Sequence, residues 1–391
     1  MSVRPLALFA VLLSSVSAVA CAATEEEPTE ALFPADRCTE PGVTCEMFGR
    51  APDADAKGPA YELGSATKPA TMTLVHQSNA QWDPIDLEFN PRSPRDLWIS
   101  NYRTGHMSIV KNIGTSQSQV IERRDPAYSH FMNKPPAFSF SGVSDEWGQT
   151  WATCGDGDNG GNYFMGPTLY SAELNIFGGN NTQTNLGSHL DMLHSTPFCR
   201  GITWAGTGNQ FYTFNSFNKS IDFYDFHKDH GPGFDDHSDG VIRRFWNGKV
   251  KGVDGVMSHV SWDNTAKRLF VADTGNKRIL VLDPSQGRRM VDMPGNERID
   301  ERAYYEAPVE ELVAPGSELE APSGLEASGG LVFTTDAKTS KIHAFSQKDG
   351  SLVRSLDTHL PAGSLAGMNF GPDGKIYFVD RIGGAVYRLD P

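Results

Sequence analysis

Positive charge is scarce in this sequence, helical periodicity is scarcer, and the short motifs that mark a particular chemistry are missing. Lys and Arg number 34 against 48 Asp and Glu, a formal net charge of −14. Such a surface repels nucleic acid and anionic lipid, both polyanions, and favours cations. No nucleic acid is expected as a partner, and a membrane only through a lipid anchor. Beyond residue 23 no stretch of useful length carries apolar residues at the helical period, which excludes a helix bundle. There is no GxSxG, phosphate loop, HExxH, dinucleotide fingerprint, CxxC or haem-attachment CxxCH. What the chain has in quantity is 39 Gly and 24 Pro among 391 residues, the composition of a turn-rich protein with short strands.

The first residues read as an export signal. Arg4 is a short positive region, and Leu6 to Val19 is apolar but too short to span a bilayer. Ala18-Val19-Ala20 fits ordinary signal cleavage. The same stretch resembles a bacterial lipoprotein box with Cys21 as the lipidated first residue. The expected organisation is a signal peptide over 1–20, a lipid-anchored or flexible linker over 21–70, and a folded body over 71–391. The acidic run Thr24 to Glu30 cannot bury a core and suits a tether. The location expected is the cell envelope, as an outer-membrane lipoprotein or in the periplasm, or outside the cell. With Cys21 lipidated, four cysteines remain for an oxidising compartment. Cys38–Cys45 and Cys154–Cys199 are the natural pairs among the three pairings allowed.

Internal repetition carries the fold. In Arg268-Leu269-Phe270-Val271-Ala272-Asp273 an apolar strand ends at an Asp, and a second strand is under way at Ile279, six residues later. The same offset separates Asn101 from Met107, Asn215 from Ile221, Asp336 from Ile342 and Asp380 from Val386. An Asx side chain at that place can bond the backbone of its own turn. A sixth, degenerate copy lies at Thr150 to Cys154, its turn replaced by a Gly-rich run over 155–162. The markers recur every 44–63 residues, the length of a four-stranded blade.

Residues 257–283 and 364–391 resemble NHL-repeat propellers, of the amidating-lyase-like and TolB-like group. The resemblance implies an all-β, six-bladed β-propeller. The third strand of the last copy is followed only by Pro391, so that blade needs an outer strand from elsewhere. Thr71-Met72-Thr73-Leu74-Val75-His76, which alternates and has no blade of its own, is expected to supply it and close the ring.

Where three repeats carry Gly201, Gly324 and Gly367 beside the axis, the others carry Asp86, Ala137 and His259. His130 and His194 each stand seven residues ahead of that position in their repeats. Imidazoles converging from separate blades would suit zinc or copper. The candidate ligands are therefore His130, His194 and His259, which should then lie about 4–5 Å apart. Asp156 to Asn162 and Asp235 to Gly240 are incomplete calcium-loop patterns. The function expected is a ligand- or protein-binding module taking a small molecule, peptide or protein, with a divalent metal in the channel. The alternative implied by the resemblance is a metal-dependent lyase or hydrolase similar to peptidyl-hydroxyglycine amidating lyase. That reading offers Tyr102 or Arg200 as acid/base or oxyanion partners. A calcium-dependent lactonase-like enzyme using Asp86 is a third reading.

Overall fold

The computed structural model describes residues 57–391 apart from Asp235 and the side chains of 143–145. The signal segment, Cys21, Cys38 and Cys45 lie outside the described residues. Among those described, no helix is long and apolar enough to cross a membrane.

Among the described residues six sheets form the fold, antiparallel but for one pair of strands. Blade 1 holds β2 (Pro84–Asn90), β3 (Ser93–Asn101), β4 (His106–Lys111) and β5 (Gln119–Arg123). Blade 2 holds β6 (Phe138–Asp145), β7 (Gly148–Thr153), β8 (Thr168–Ser171) and β9 (His189–Met192). Blade 3 holds β10 (Cys199–Trp204), β11 (Gln210–Asn215), β12 (Ser220–Asp225) and β13 (Val241–Phe245). Blade 4 holds β14 (Val260–Asp263), β15 (Arg268–Asp273), β16 (Arg278–Leu282) and β19 (Glu310–Val313). Blade 5 runs β20 (Pro322–Ser328), β21 (Leu331–Asp336), β22 (Lys341–Ser346) and β23 (Leu352–Asp357). Blade 6 combines β24 (Leu365–Phe370), β25 (Ile376–Asp380) and β26 (Ala385–Asp390) with β1 (Thr71–Gln77).

Each innermost strand packs on the next, from β2 through β6, β10, β14 and β20 to β24 and back to β2. The ring is closed. β1 pairs antiparallel with β26, from Thr71 opposite Asp390 to Gln77 opposite Ala385. Joining the two ends of the fold in one sheet removes the edge that an unfinished blade would expose.

The repeated Asx ends the second strand of five blades, and in three of them, at Asn215, Asp336 and Asp380, its side chain caps the following turn. Asp336 Oδ1 accepts from the backbone of Lys338 and Thr339, and Asp380 Oδ1 from Gly383. In blade 2 the second and third strands are separated by 154–167, the degenerate copy of the repeat. The Cys154–Cys199 disulfide ties that segment to the start of β10 across a separation of 45 residues. In the chain-entropy view, closing a loop of that length stabilises the fold by roughly 4 kcal/mol.

Two features depart from the repeat. The folded body begins before β1: Ala60, Leu63 and Ala70 are buried in the core cluster of blade 6 and its neighbours. This part of the expected linker is packed rather than free. Blade 4 also carries an inserted hairpin, β17 (Arg288–Asp292) and β18 (Glu301–Glu306), between its third and fourth strands. β18 pairs in parallel with β13 and extends blade 3 to six strands. The new edge, β17, is exposed along its length, and its charges at Arg288, Arg289 and Asp292 discourage pairing with another chain.

Aromatic packing fills the space between blades. Trp98 meets Phe140 and Trp151 edge-on, with ring centroids 5.2 and 5.6 Å apart, and Trp151 stacks on Tyr170 at 4.9 Å. These tryptophans serve the core; Trp82, Trp204 and Trp262 are half-buried.

Around the axis the limit is steric. A Cβ on Gly201 would lie 2.3 Å from Ser258 O, and one on Gly324 2.2 Å from Ala366 O. Gly324→Ala should cost about 1–3 kcal/mol, the usual penalty for overpacking. Gly157→Ala, whose Cβ would meet only Asn133 at ordinary contact distance, should be near neutral. Thermal melting of the two variants compares them. Equal melting temperatures would show that the inner ring has slack.

Candidate functional site

Side chains reach the channel from the inner strands in two layers two residues apart, as the alternation of a strand requires. The outer layer contains Asp86 of β2 and His259, just ahead of β14. His259 Nε2 lies 3.9 Å from Asp86 Oδ2, while its Nδ1 bonds Leu325 O at 3.0 Å. The second layer contains Glu88, Ser139, Ser261, Glu326 and Asn369, from five blades. Asn369 Nδ2 donates to Glu326 Oε1 at 2.9 Å, and Ser261 Oγ to Glu326 Oε2 at 3.4 Å. Phe140 N donates to Glu88 Oε2 at 2.7 Å, and Phe138 N to Asp86 Oδ2 at 3.1 Å.

Three carboxyls thus share one channel, Asp86 buried and Glu88 and Glu326 half-buried, and among the described residues no Lys or Arg pairs with any of them. Burial lifts Asp86 and Glu88 well above the usual carboxylate range; repulsion from Glu326 adds to both, and that from Asp86 adds to Glu88. Burial raises Glu326 to about 7, against hydrogen bonds from Asn369 and Ser261 that lower it. His259 is lowered to about 4 by burial, which keeps its imidazole neutral beside Asp86. Asn369 Oδ1 and His259 Nε2 are buried without hydrogen-bond partners.

A second polar network lies where the chain enters the blades. Tyr102 Oη donates to Asp156 Oδ2 at 2.8 Å. Arg200 Nη2 lies 3.2 Å from Asp156 Oδ1 and 3.0 Å from Asp254 Oδ1. Arg381 pairs with Asp83 at 2.8 Å, donates to Gly255 O at 2.6 Å, and faces the Tyr102 ring at 5.8 Å. Arg200 and Asp156 are buried, whereas Asp254 is fully exposed. Burial, with Asp156 alongside, pushes the Tyr102 phenol up, so it keeps its proton at neutral pH and acts as a donor.

The three candidate histidines fall in two places. His259 is on the axis, as its repeat position implies. His130 sits in the short helix Tyr128–Phe131 and stacks on Phe164 at 4.2 Å; His194 follows β9 and stacks more loosely on Phe164, at 6.1 Å. Burial lowers His130 to about 4, with His194 and His237 contributing. Among the described residues, two groups of three could hold an ion: His194 with His237 and Glu297, and Asp191 with His230 and Asp239. Neither contains His130 or His259. The seven-residue spacing puts His130 and His194 on the entering loops, outside the inner strand, while His259 belongs to that strand's own approach to the axis.

Both incomplete calcium loops show turn bonding: Asp158 Oδ1 accepts from Gly161 N, and Asp236 Oδ1 from Ser238 N at 3.1 Å. Glu88 and Glu326 were missed in the sequence. They stand two residues beyond Asp86 and Gly324 on the same strands, so strand alternation would have found them. Asp156, Asp254 and Arg381 come from loops and had no such signal.

A closed ring of six blades around a polar channel defines a six-bladed β-propeller. No family model and no curated protein matches the sequence. Among solved structures the chain is similar to an auxiliary nutrient binding protein from Bacteroides thetaiotaomicron, with TM-score 0.51 and 9% identity over 83% of this chain and 78% of that one. It is similar to another from Bacteroides ovatus, with TM-score 0.50 and 12% identity over 79% and 70%. A Bacteroides thetaiotaomicron protein of unknown function matches with TM-score 0.51 and 9% identity over 82% and 76%. At these identities the likeness is one of fold.

The Glu326 carboxyl yields a pH prediction for metal-free protein. Its folded pKa of about 7 lies above its ordinary 4.5, so folding takes up a proton between those values. Stability therefore falls as pH rises from about 4.5 to about 7 and remains lowered above. Glu326→Gln should match wild type at pH 4 and exceed it above pH 7 by about 2–3 kcal/mol. Urea unfolding in EDTA across this range measures it. A pH-independent difference would remove the assignment.

Proposed function

We propose that this chain is an exported, cell-envelope binding module. It takes a small molecule, peptide or protein at the channel mouth and carries a divalent cation in the channel below. One observation carries this reading: Asp86, buried, and Glu88 and Glu326, half-buried, converge from two blades in the channel, and among the described residues no cationic side chain balances them. Unpaired buried carboxylates are costly, and a bound cation is the usual remedy. The donor set is carboxylate and amide oxygen, with Asn369 Oδ1 unpartnered, and suits a hard ion such as calcium. The repeat pattern resembling NHL propellers and the export signal in the first 23 residues support the same reading. The two similar Bacteroides structures are of auxiliary nutrient binding proteins, which is in line with it.

The mouth suits binding. Asp254, fully exposed, is held by a buried Arg200 whose other partners are the buried Asp156 and the Val253 carbonyl. A ligand carboxylate can displace Asp254 and keep Arg200 paired. Tyr102, with its proton retained, offers a second donor.

Metal-stripped, tag-free protein titrated with calcium tests the channel. Calcium should raise the melting temperature by several degrees, and Glu88→Gln/Glu326→Gln should abolish that rise. In a ligand screen by the same assay, carboxylate-bearing hits should weaken about tenfold or more in Arg200→Ala, the loss of a charge-assisted bond. A calcium-indifferent protein, with no hit dependent on Arg200, would remove the reading.

A further inference from the structure

Far from the axis, the 226–240 segment of blade 3 folds over β9, the outer strand of blade 2. His230 N donates to Leu190 O at 3.0 Å and Gly233 N to His189 O at 2.7 Å. That docking brings ligating side chains from two blades together. Asp191, on β9, has a side chain with no solvent exposure, and its Oδ2 has no hydrogen-bond partner. His230 Nε2 lies 3.9 Å from that oxygen and 3.4 Å from Asp239 Oδ1. His230 Nε2 and Asp239 Oδ1 are also buried and without hydrogen-bond partners. Folded proteins pair nearly all such atoms, so three left over and aimed at one another call for an occupant.

The surroundings are built as a ligand's usually are. The other oxygen of Asp191 accepts from Met192 N at 2.6 Å and lies 3.3 Å from His237 Nδ1, which fixes the carboxylate and leaves Oδ2 directed at His230. Outer partners that orient a ligating group in this way are a regular part of metal sites. The neighbouring trio is already engaged: Glu297 pairs with Arg302 at 2.8 Å and bonds His194. The three open atoms lie within 4.8 Å of one another. Tetrahedral ligands at zinc distances sit roughly 3.3 Å apart, so a small inward movement of the loop closes the site. One imidazole with two carboxylates suits a first-row divalent ion better than calcium, whose ligands are oxygens.

We propose that Asp191, His230 and Asp239 form a zinc-class divalent metal site that fastens the blade 3 loop to the outer strand of blade 2. It shares no residue with the channel and stands whether or not the channel holds calcium.

Full-length, tag-free protein dialysed against EDTA and titrated with zinc chloride by calorimetry tests this. One equivalent should bind at micromolar affinity or tighter. His230→Ala/Asp239→Asn should weaken that binding at least 100-fold, while Glu88→Gln/Glu326→Gln should retain it. Matched melting temperatures of the rim variant and wild type in EDTA would show that the fold is intact. Should the rim variant fail to fold, hydrogen exchange of the wild type decides: zinc should slow exchange across 226–240 and β9. Equal zinc affinity in wild type and the folded rim variant overturns the proposal. So does absence of binding at 100 µM zinc, or exchange that zinc leaves unchanged there.

Discussion

A methyl group at Gly367 would lie 2.2 Å from Asp86 Oδ1, and one at Gly324 equally close to a backbone oxygen of the next blade. The inner strands are so near one another that backbone and hydroxyl groups supply the contacts. Thr335 Oγ1 donates to Ala366 O at 2.6 Å, Thr274 Oγ1 to Pro322 O at 2.6 Å, and Ser100 Oγ to Pro135 O at 2.8 Å. Each of these bonds leads from one blade's second strand, or the turn just after it, to the start of the next blade. Close approach at the axis holds the sheets in register, and the closing pair β1–β26 only completes a ring already determined there.

Every side chain larger than a methyl group on that ring is consequently conspicuous. Asp86 and His259 occupy places where small residues pack elsewhere, and Glu88 and Glu326 lie one layer along. These groups are kept from water by the same closeness that makes the ring stable. The raised pKa values of the three carboxyls are the energetic trace of that choice, since a carboxyl deprived of water resists ionisation. Stability in the blades and polarity in the channel come from one packing constraint acting on different side chains.

The periphery follows other rules. Outer strands bear no axial constraint, so insertions accumulate there. The β17–β18 hairpin leaves blade 4 and completes the edge of blade 3, and the 226–240 segment crosses onto blade 2. Both bind neighbouring blades at the rim, where the Gly-lined axis cannot help. The Cys154–Cys199 bridge does the same nearer the centre, joining the one blade whose second turn abandons the repeat to the blade that follows.

Much of this was legible in the residues. The six-residue Asx offset marked the hairpins because the turn chemistry is local. The glycines at 201, 324 and 367 marked the inner strands, and the alternating run at 71–76 was the one strand left to close the ring. Asp86 and His259 were found by the same register. Which histidines meet was not legible: His130 and His194 share a spacing and both lie against Phe164, while His259, at the repeat position itself, stands apart on the axis. Asp191, His230 and Asp239 share no spacing at all, and a loop docking across two blades brings them together. Sequence alone determined the strands, their turns and the order of blades, because those depend on neighbours a few residues apart. Only the tertiary structure decided the sites, because distances between side chains from different blades are set by how the sheets pack.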